Sequence, residues 1–128
     1  MHLILEFGIQ ETKPLHELSI ALEILDIVEK EAAKHDAAVV RQINLRVGDL
    51  SGVETESLTF SFDAVKGEKE LTRDAILAIE RLPVKIRCTP CDDVFNGAGH
   101  MVICPQCEGF DTELLQGEEL EIAEIEID

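Results

Sequence analysis

Tryptophan and tyrosine are absent from this chain, and five phenylalanines supply all of its aromatic content. So few rings offer no row of stacking platforms for unpaired bases, and aliphatic side chains must fill the interior. Positive charge is scarce as well: 11 Lys and Arg stand against 27 Asp and Glu, a formal net charge of -16. Such a surface repels phosphate backbones and anionic lipid headgroups, which removes nucleic acid and membrane surfaces from the expected partners. No apolar run approaches the length of a membrane span. The opening "MHLILEFGI" has neither the basic start nor the small-residue cleavage site of a secretory signal, so the expected location is the cytoplasm. In that reducing compartment four cysteines are not expected to pair as disulfides, which turns attention to metal.

What is present fits one domain, or one domain with a small satellite, at 128 residues. Residues 1–14, "MHLILEFGIQETKP", do not share the pattern that follows and read as an N-terminal extension, with "LILEF" able to add a strand. From Leu15, the positions Leu18, Leu22, Leu25, Val28 and Ala32 recur at three or four residues, which predicts a helix to about Lys34. Pro14 suits its entrance, and Glu17 suits its positive first turn. "VVRQINLRVG" at 39–48 alternates Ile43, Leu45 and Val47 inward with Gln42, Asn44 and Arg46 outward, a half-buried strand ended by Gly48.

Ser51 and Glu54 have the spacing of a capping box, and Val53, Leu58, Phe62 and Val65 carry a second helix toward Gly67. "DAILAIERLPVKIR" at 74–87 predicts a strand, its latter half confined by Pro83 to an edge or a strand break. In "EELEIAEIEID" the apolar set shifts from Leu120 and Ile122 to Ile125 and Ile127, so a bulge is expected near Ala123. The order implies an α+β fold, two helices packed on a three-stranded sheet, built from 15–87 and 111–128. Residues 88–110 form an insert.

That insert carries "CTPC" at 88–91 and "CPQC" at 104–107. Each short turn lets two sulfurs converge on one cation while the loop between folds the second pair onto the first. Cys88, Cys91, Cys104 and Cys107 therefore predict a zinc-ribbon-like module around a structural Zn(II), closed to water by four thiolates. An iron centre or a reversible dithiol uses the same donors, and both stay open at this point. Val94, Phe95, Met101, Val102 and Ile103 are the candidate core of so small a module, so the metal must supply much of its folding energy. His100, in the loop, is a potential further ligand or a plain polar side chain.

Three blocks carry a family resemblance: "HELSIALEILDIVE" on the first helix, "VGDLSGVETESLTFSFDAV" across the first strand and second helix, and the two C-x-x-C turns. In this order they resemble the HypA/HybF family of hydrogenase nickel-incorporation proteins, over Leu15 to Asp128. The resemblance implies a metallochaperone, not an enzyme, that takes up Ni(II) as transient cargo. It further implies delivery to the large subunit of [NiFe] hydrogenase, with urease maturation as a second outlet, in concert with a HypB-type GTPase. A homodimer is open. The family pattern begins Met-His-Glu at the N-terminus, where nickel is held, and the matching positions are Leu15, His16 and Glu17.

A free α-amine, the next backbone nitrogen and an imidazole can chelate Ni²⁺ in fused rings, whereas the amide nitrogen of an internal Leu15 is committed to resonance. Three readings of residues 1–14 follow. Leu15 marks the start, since a bacterial leucine codon can initiate and be read as methionine; the extension is removed; or it remains, with Met1 and His2 as a substitute pair. Glu54 is explained by capping alone. The alternative from another class is a zinc-ribbon interaction module without nickel cargo, and a third is a rubredoxin-like electron carrier.

Overall fold

The computed structural model describes residues 1–9, 17–97 and 103–128. They form β1 (His2–Gly8), α1 (Glu17–Lys34), β2 (Val40–Gly48), α2 (Thr55–Val65), two short 3-10 turns (Lys66–Glu68 and Glu70–Thr72), β3 (Ile76–Leu82), β4 (Lys85–Cys88), β5 (Asp93–Asn96), β6 (Thr112–Gln116) and β7 (Leu120–Ile127). These elements divide into two compact units, one of Met1–Arg46, Val53–Glu80 and Leu120–Asp128, the other of Val47–Gly52 and Arg81–Glu119.

The first unit is built on a sheet of four strands in the order β1-β7-β2-β3, not three. The expected strands are all there, and the fourth is the extension: β1 pairs antiparallel with β7, with His2 opposite Glu126 and Gly8 opposite Glu121. Its hydrophobic "LILEF" takes the edge that β7 would otherwise leave open, which satisfies a row of backbone groups. The register slips between Ile4 and Phe7, so Leu5 and Glu6 stand opposite Ala123 alone, and Glu6 takes a positive φ of 45°. The irregularity thus falls where the apolar set of β7 changes face, but the added residue is on β1.

In β2, Ile43, Leu45 and Val47 are buried, as are Ile122 and Ile125 of β7, while Arg46 and Asn44 on the other face of β2 bond to Glu121 and Glu124. Helices α1 and α2 pack against each other. Their core contribution is Ile20, Ala21, Ile24, Ile27, Val28 and Ala32 from α1 and Leu58 and Phe62 from α2. Leu18 and Leu22 are therefore not core residues. α1 carries two apolar stripes, and the one that buries begins at Ile20. Each fully buried aliphatic or Phe contributes roughly 1.5–3 kcal/mol by leaving water.

α2 starts later than the capping-box spacing suggests. Glu54 itself is the N-cap, its side chain accepting from the Glu56 N–H at 3.1 Å. Asp128 pairs with Arg41, which holds its carboxyl below the usual carboxylate range.

The second unit is wider than the 88–110 segment. Pro83, which has no N–H to give a ladder, separates β3 from β4, and β4 joins a different sheet of order β5-β4-β6. Val84, just before β4, and Ile86 and Cys88 along it are buried, whereas Val94 and Ile103 lie exposed and Phe95 is half-buried. Among the described residues, the buried side chains of this unit are those of Val47, Val84, Ile86, Cys88 and Cys104, and not Val94, Phe95 or Ile103. Met101 and Val102, expected to join them, lie outside the described residues, as does His100. No helix of the described residues is long and apolar enough to cross a membrane.

Candidate metal centre

The central strand β4 ends on Cys88, which stands opposite Asp93 of β5 and Thr112 of β6, so both neighbouring strands hold the first sulfur's backbone in place. The chain then makes two turns of one design. The Asp92 N–H donates to the Cys88 carbonyl at 2.8 Å, and the Glu108 N–H donates to the Cys104 carbonyl at 2.9 Å. Both donors have left-handed backbone, φ 54° at Asp92 and φ 57° at Glu108. The residue after each second cysteine thus closes a loop that points two sulfurs the same way. The Thr89 N–H on the Asp111 carbonyl, 2.9 Å, and the Cys104 N–H on the Gly109 carbonyl, 3.1 Å, tie the turns down.

The four sulfurs consequently lie within 4.8 Å of one another, and Cys88 Sγ is 3.6 Å from Cys107 Sγ. Tetrahedral zinc with sulfur at about 2.3 Å places its ligands about 3.8 Å apart, which matches. Cys88 and Cys104 are buried, Cys91 is half-buried and Cys107 is exposed, and none is in a disulfide. The set fits a metal such as zinc, with every position taken by sulfur.

The thiols are not equivalent. Backbone N–H groups of Cys107 and Gln106 aim at the Cys104 sulfur and lower its pKa to about 7. Hydrogen bonds with Cys107 and Cys88, and then burial, push Cys91 up to about 12. At Cys88 the Cys91 N–H favours the thiolate, but burial together with Cys107 and Cys104 leaves its pKa raised. Cys104 therefore offers a thiolate near neutrality, whereas a cation must displace the protons held by Cys88 and Cys91.

The structure brings all four sequence-predicted cysteines together. Glu17 is placed as the first residue of α1, half-buried, at the mouth of a cavity of about 500 Å³ shared with Leu18, Glu56 and Phe60. His16 lies outside the described residues. Met1 and His2 are engaged in the sheet: the Met1 amine donates to the Ile127 carbonyl at 2.7 Å, and the His2 ring lies 3.0 and 3.1 Å from Glu124 and Glu126. Sequence reasoning missed Asp92 and Glu108. Their only signal is position, immediately after the second cysteine of each pair.

Comparison with known proteins places these features in one context. The family model described as "Hydrogenase/urease nickel incorporation, metallochaperone, hypA" matches residues 15–127, a span that leaves β1 outside. A hydrogenase maturation factor HypA of Dehalococcoides mccartyi is 33% identical over 114 residues, 89% of this chain and 95% of that protein. Those of Geobacter metallireducens and a Roseiflexus species are 35% and 38% identical, over 89% and 88% of this chain and 100% and 91% of theirs. The solution structure of the Ni metallochaperone HypA from Helicobacter pylori aligns with a TM-score of 0.62, covering 88% of this chain and 97% of that one, at 24% identity. That likeness bears on the fold.

Proposed function

The chain belongs to the HypA family of hydrogenase/urease nickel-incorporation metallochaperones, and from that membership we propose that it binds Ni(II) through His16 and Glu17 and delivers it during maturation of [NiFe] hydrogenase. It is a maturation factor and not a catalyst. One observation carries the reading: a single family match spans both the His16-Glu17 pair and the four-cysteine cluster. The cluster holds Zn(II) as a structural ion, because four sulfurs fill the tetrahedron and leave nothing for cargo to exchange through.

Nickel needs the opposite. An imidazole with a carboxylate or amide nitrogen beside it leaves coordination positions open, so a recipient's ligands can enter before the carrier's depart. Glu17, the acidic residue in the first turn of α1, stands next to His16 in the chain and suits this. Partners of the cycle are a HypB-type GTPase and the hydrogenase large subunit, met in the cytoplasm. Urease is the second acceptor this family permits.

The test is the nickel content of the hydrogenase large subunit purified from cells in which this chain is the sole protein of its family. His16→Ala is expected to lower that content at least tenfold with zinc in the chain unchanged. Full nickel loading with His16→Ala would overturn the assignment and leave a zinc-bearing interaction module.

A further inference from the structure

α1 has more apolar surface than its core uses. Ile20, Ile24 and Val28 are buried, yet Leu18 and Leu22 remain 48% and 47% exposed, and with the half-buried Leu25 they form a second ridge at i, i+4, i+7. Opposite this ridge α2 presents Phe60, 78% exposed, two residues from the fully buried Phe62. Helical geometry turns neighbouring phenylalanines apart, so Phe60 cannot share that core. The seam between the helices holds two hollows. One, of about 500 Å³, is lined by Leu18 and Phe60, and the other, of about 240 Å³, by Leu22, Leu25 and Val65. From Leu18 to Glu29 the seam runs roughly 16 Å along α1, three helical turns.

Its rim is acidic. Glu17 and Glu56 border the first hollow, and Asp26, Glu29 and Glu68 the second. The cations nearby, Lys30 and Lys69, are tied to Asp26 and Glu29. Among the described residues no ion pair reaches Glu17, Glu56 or Glu68. A second copy of this chain would bring the same carboxylates and a further -16 of charge against them. Complementarity therefore selects a basic occupant.

We propose that the α1–α2 seam is a docking groove for an amphipathic helix of a partner protein, whose apolar ridge seats on Leu18, Leu22, Leu25 and Phe60 and whose flanking Lys and Arg meet the acidic rim. Exposed apolar patches bordered by charge mark such sites, and a helix laid in a groove reads as anchors three or four residues apart. The groove stands whether or not nickel is held at Glu17. Phe60 is its anchor, being the largest apolar side chain on the seam and free of the core.

The probe is a synthetic 14-residue helix with leucines at i, i+3, i+7 and i+10 and lysines elsewhere, titrated into the zinc-loaded full chain and followed by amide NMR. Shifts are expected at Leu18, Leu22, Leu25 and Phe60. A composition-matched scrambled peptide is expected to bind at least tenfold more weakly, and Leu22→Ser with Phe60→Ser to weaken the ordered peptide at least tenfold, an anchor-sized loss. Both positions are exposed, so an unchanged circular dichroism spectrum and Tm separate lost docking from lost folding. Equal binding of the scrambled peptide, or indifference to the double substitution, would overturn the groove. A homodimer in sedimentation that Phe60→Ser dissolves would also overturn it, by assigning the seam to a second copy.

Discussion

Replacing Gly48 by alanine should destabilise the chain by about 2–4 kcal/mol. A Cβ at this position would lie 2.1 Å from the Gly117 carbonyl oxygen, 2.2 Å from its carbon and 2.7 Å from the Glu118 nitrogen. All three are backbone atoms, so no rotamer change relieves the clash, and the end of β2 must withdraw. Withdrawal strains two short hydrogen bonds, the Gly48 N–H to the Glu119 carbonyl and the Leu50 N–H to the Gly117 carbonyl, both 2.7 Å. Overpacking of this kind costs about 1–3 kcal/mol, and each backbone hydrogen bond lost about 1. Restricting the unfolded chain by replacing glycine returns only about 0.4–1 kcal/mol. Retreat is blocked on the other side too, because Gly117, at φ 141°, already lies against Val84. The assay is urea unfolding of zinc-loaded protein, with the slope required to stay constant. A loss below about 0.5 kcal/mol, or a gain, would refute the close approach.

Further consequences are equally direct. Zinc retention against a chelator should fall as pH drops through neutrality, because protons compete with the metal for the thiolates, that of Cys104 with its pKa near 7 among them; the measurement is chelator-accessible zinc against pH, and a flat profile from pH 8 to 5 would contradict the four-thiolate site. Chelation should raise hydrogen exchange in β4, β5 and β6, read by mass spectrometry, more than in α1. Phe62→Ala should cost about 3–5 kcal/mol in chemical unfolding while Phe60→Ala stays within about 0.5, since the first is fully buried and the second exposed. Glu54→Ala should cost about 0.5–1 kcal/mol through loss of the α2 cap, and Glu54→Asp should restore part of it.

Much of this was legible in the residues, and the failures have physical causes. The end of α1 at Lys34, the alternation of β2 and the break at Pro83 follow from local period and local chemistry, which sequence encodes directly. The four cysteines were legible because C-x-x-C spacing constrains sulfur positions whatever surrounds it. The face of α1 that buries was not. Leu18, Leu22 and Leu25 compete with Ile20, Ile24 and Ile27, and only the packing against α2 and the sheet decides between two stripes of equal hydrophobicity. β1 was foreseen only as a capability, since an edge strand's partner lies more than a hundred residues away. Asp92 and Glu108 were invisible because a left-handed turn favours glycine, and neither residue type signals one at these positions. Ser51 was a plausible cap, but the chain needs 49–54 to leave the sheet before α2 can begin, and Glu54 takes the role.

The central claim is that nickel is carried at His16 and Glu17 while zinc stays in the cysteine cluster. The most direct measurement is a nickel titration against a competing chelator on zinc-loaded protein, with and without His16→Ala, both on the full 128 residues and on a chain started at Met-His16-Glu17. The account predicts one nickel per chain, lost with His16→Ala while zinc is kept, and tighter binding in the shortened form, where a free amine joins the imidazole. Nickel uptake unchanged by His16→Ala in both forms, or none in either, would contradict it.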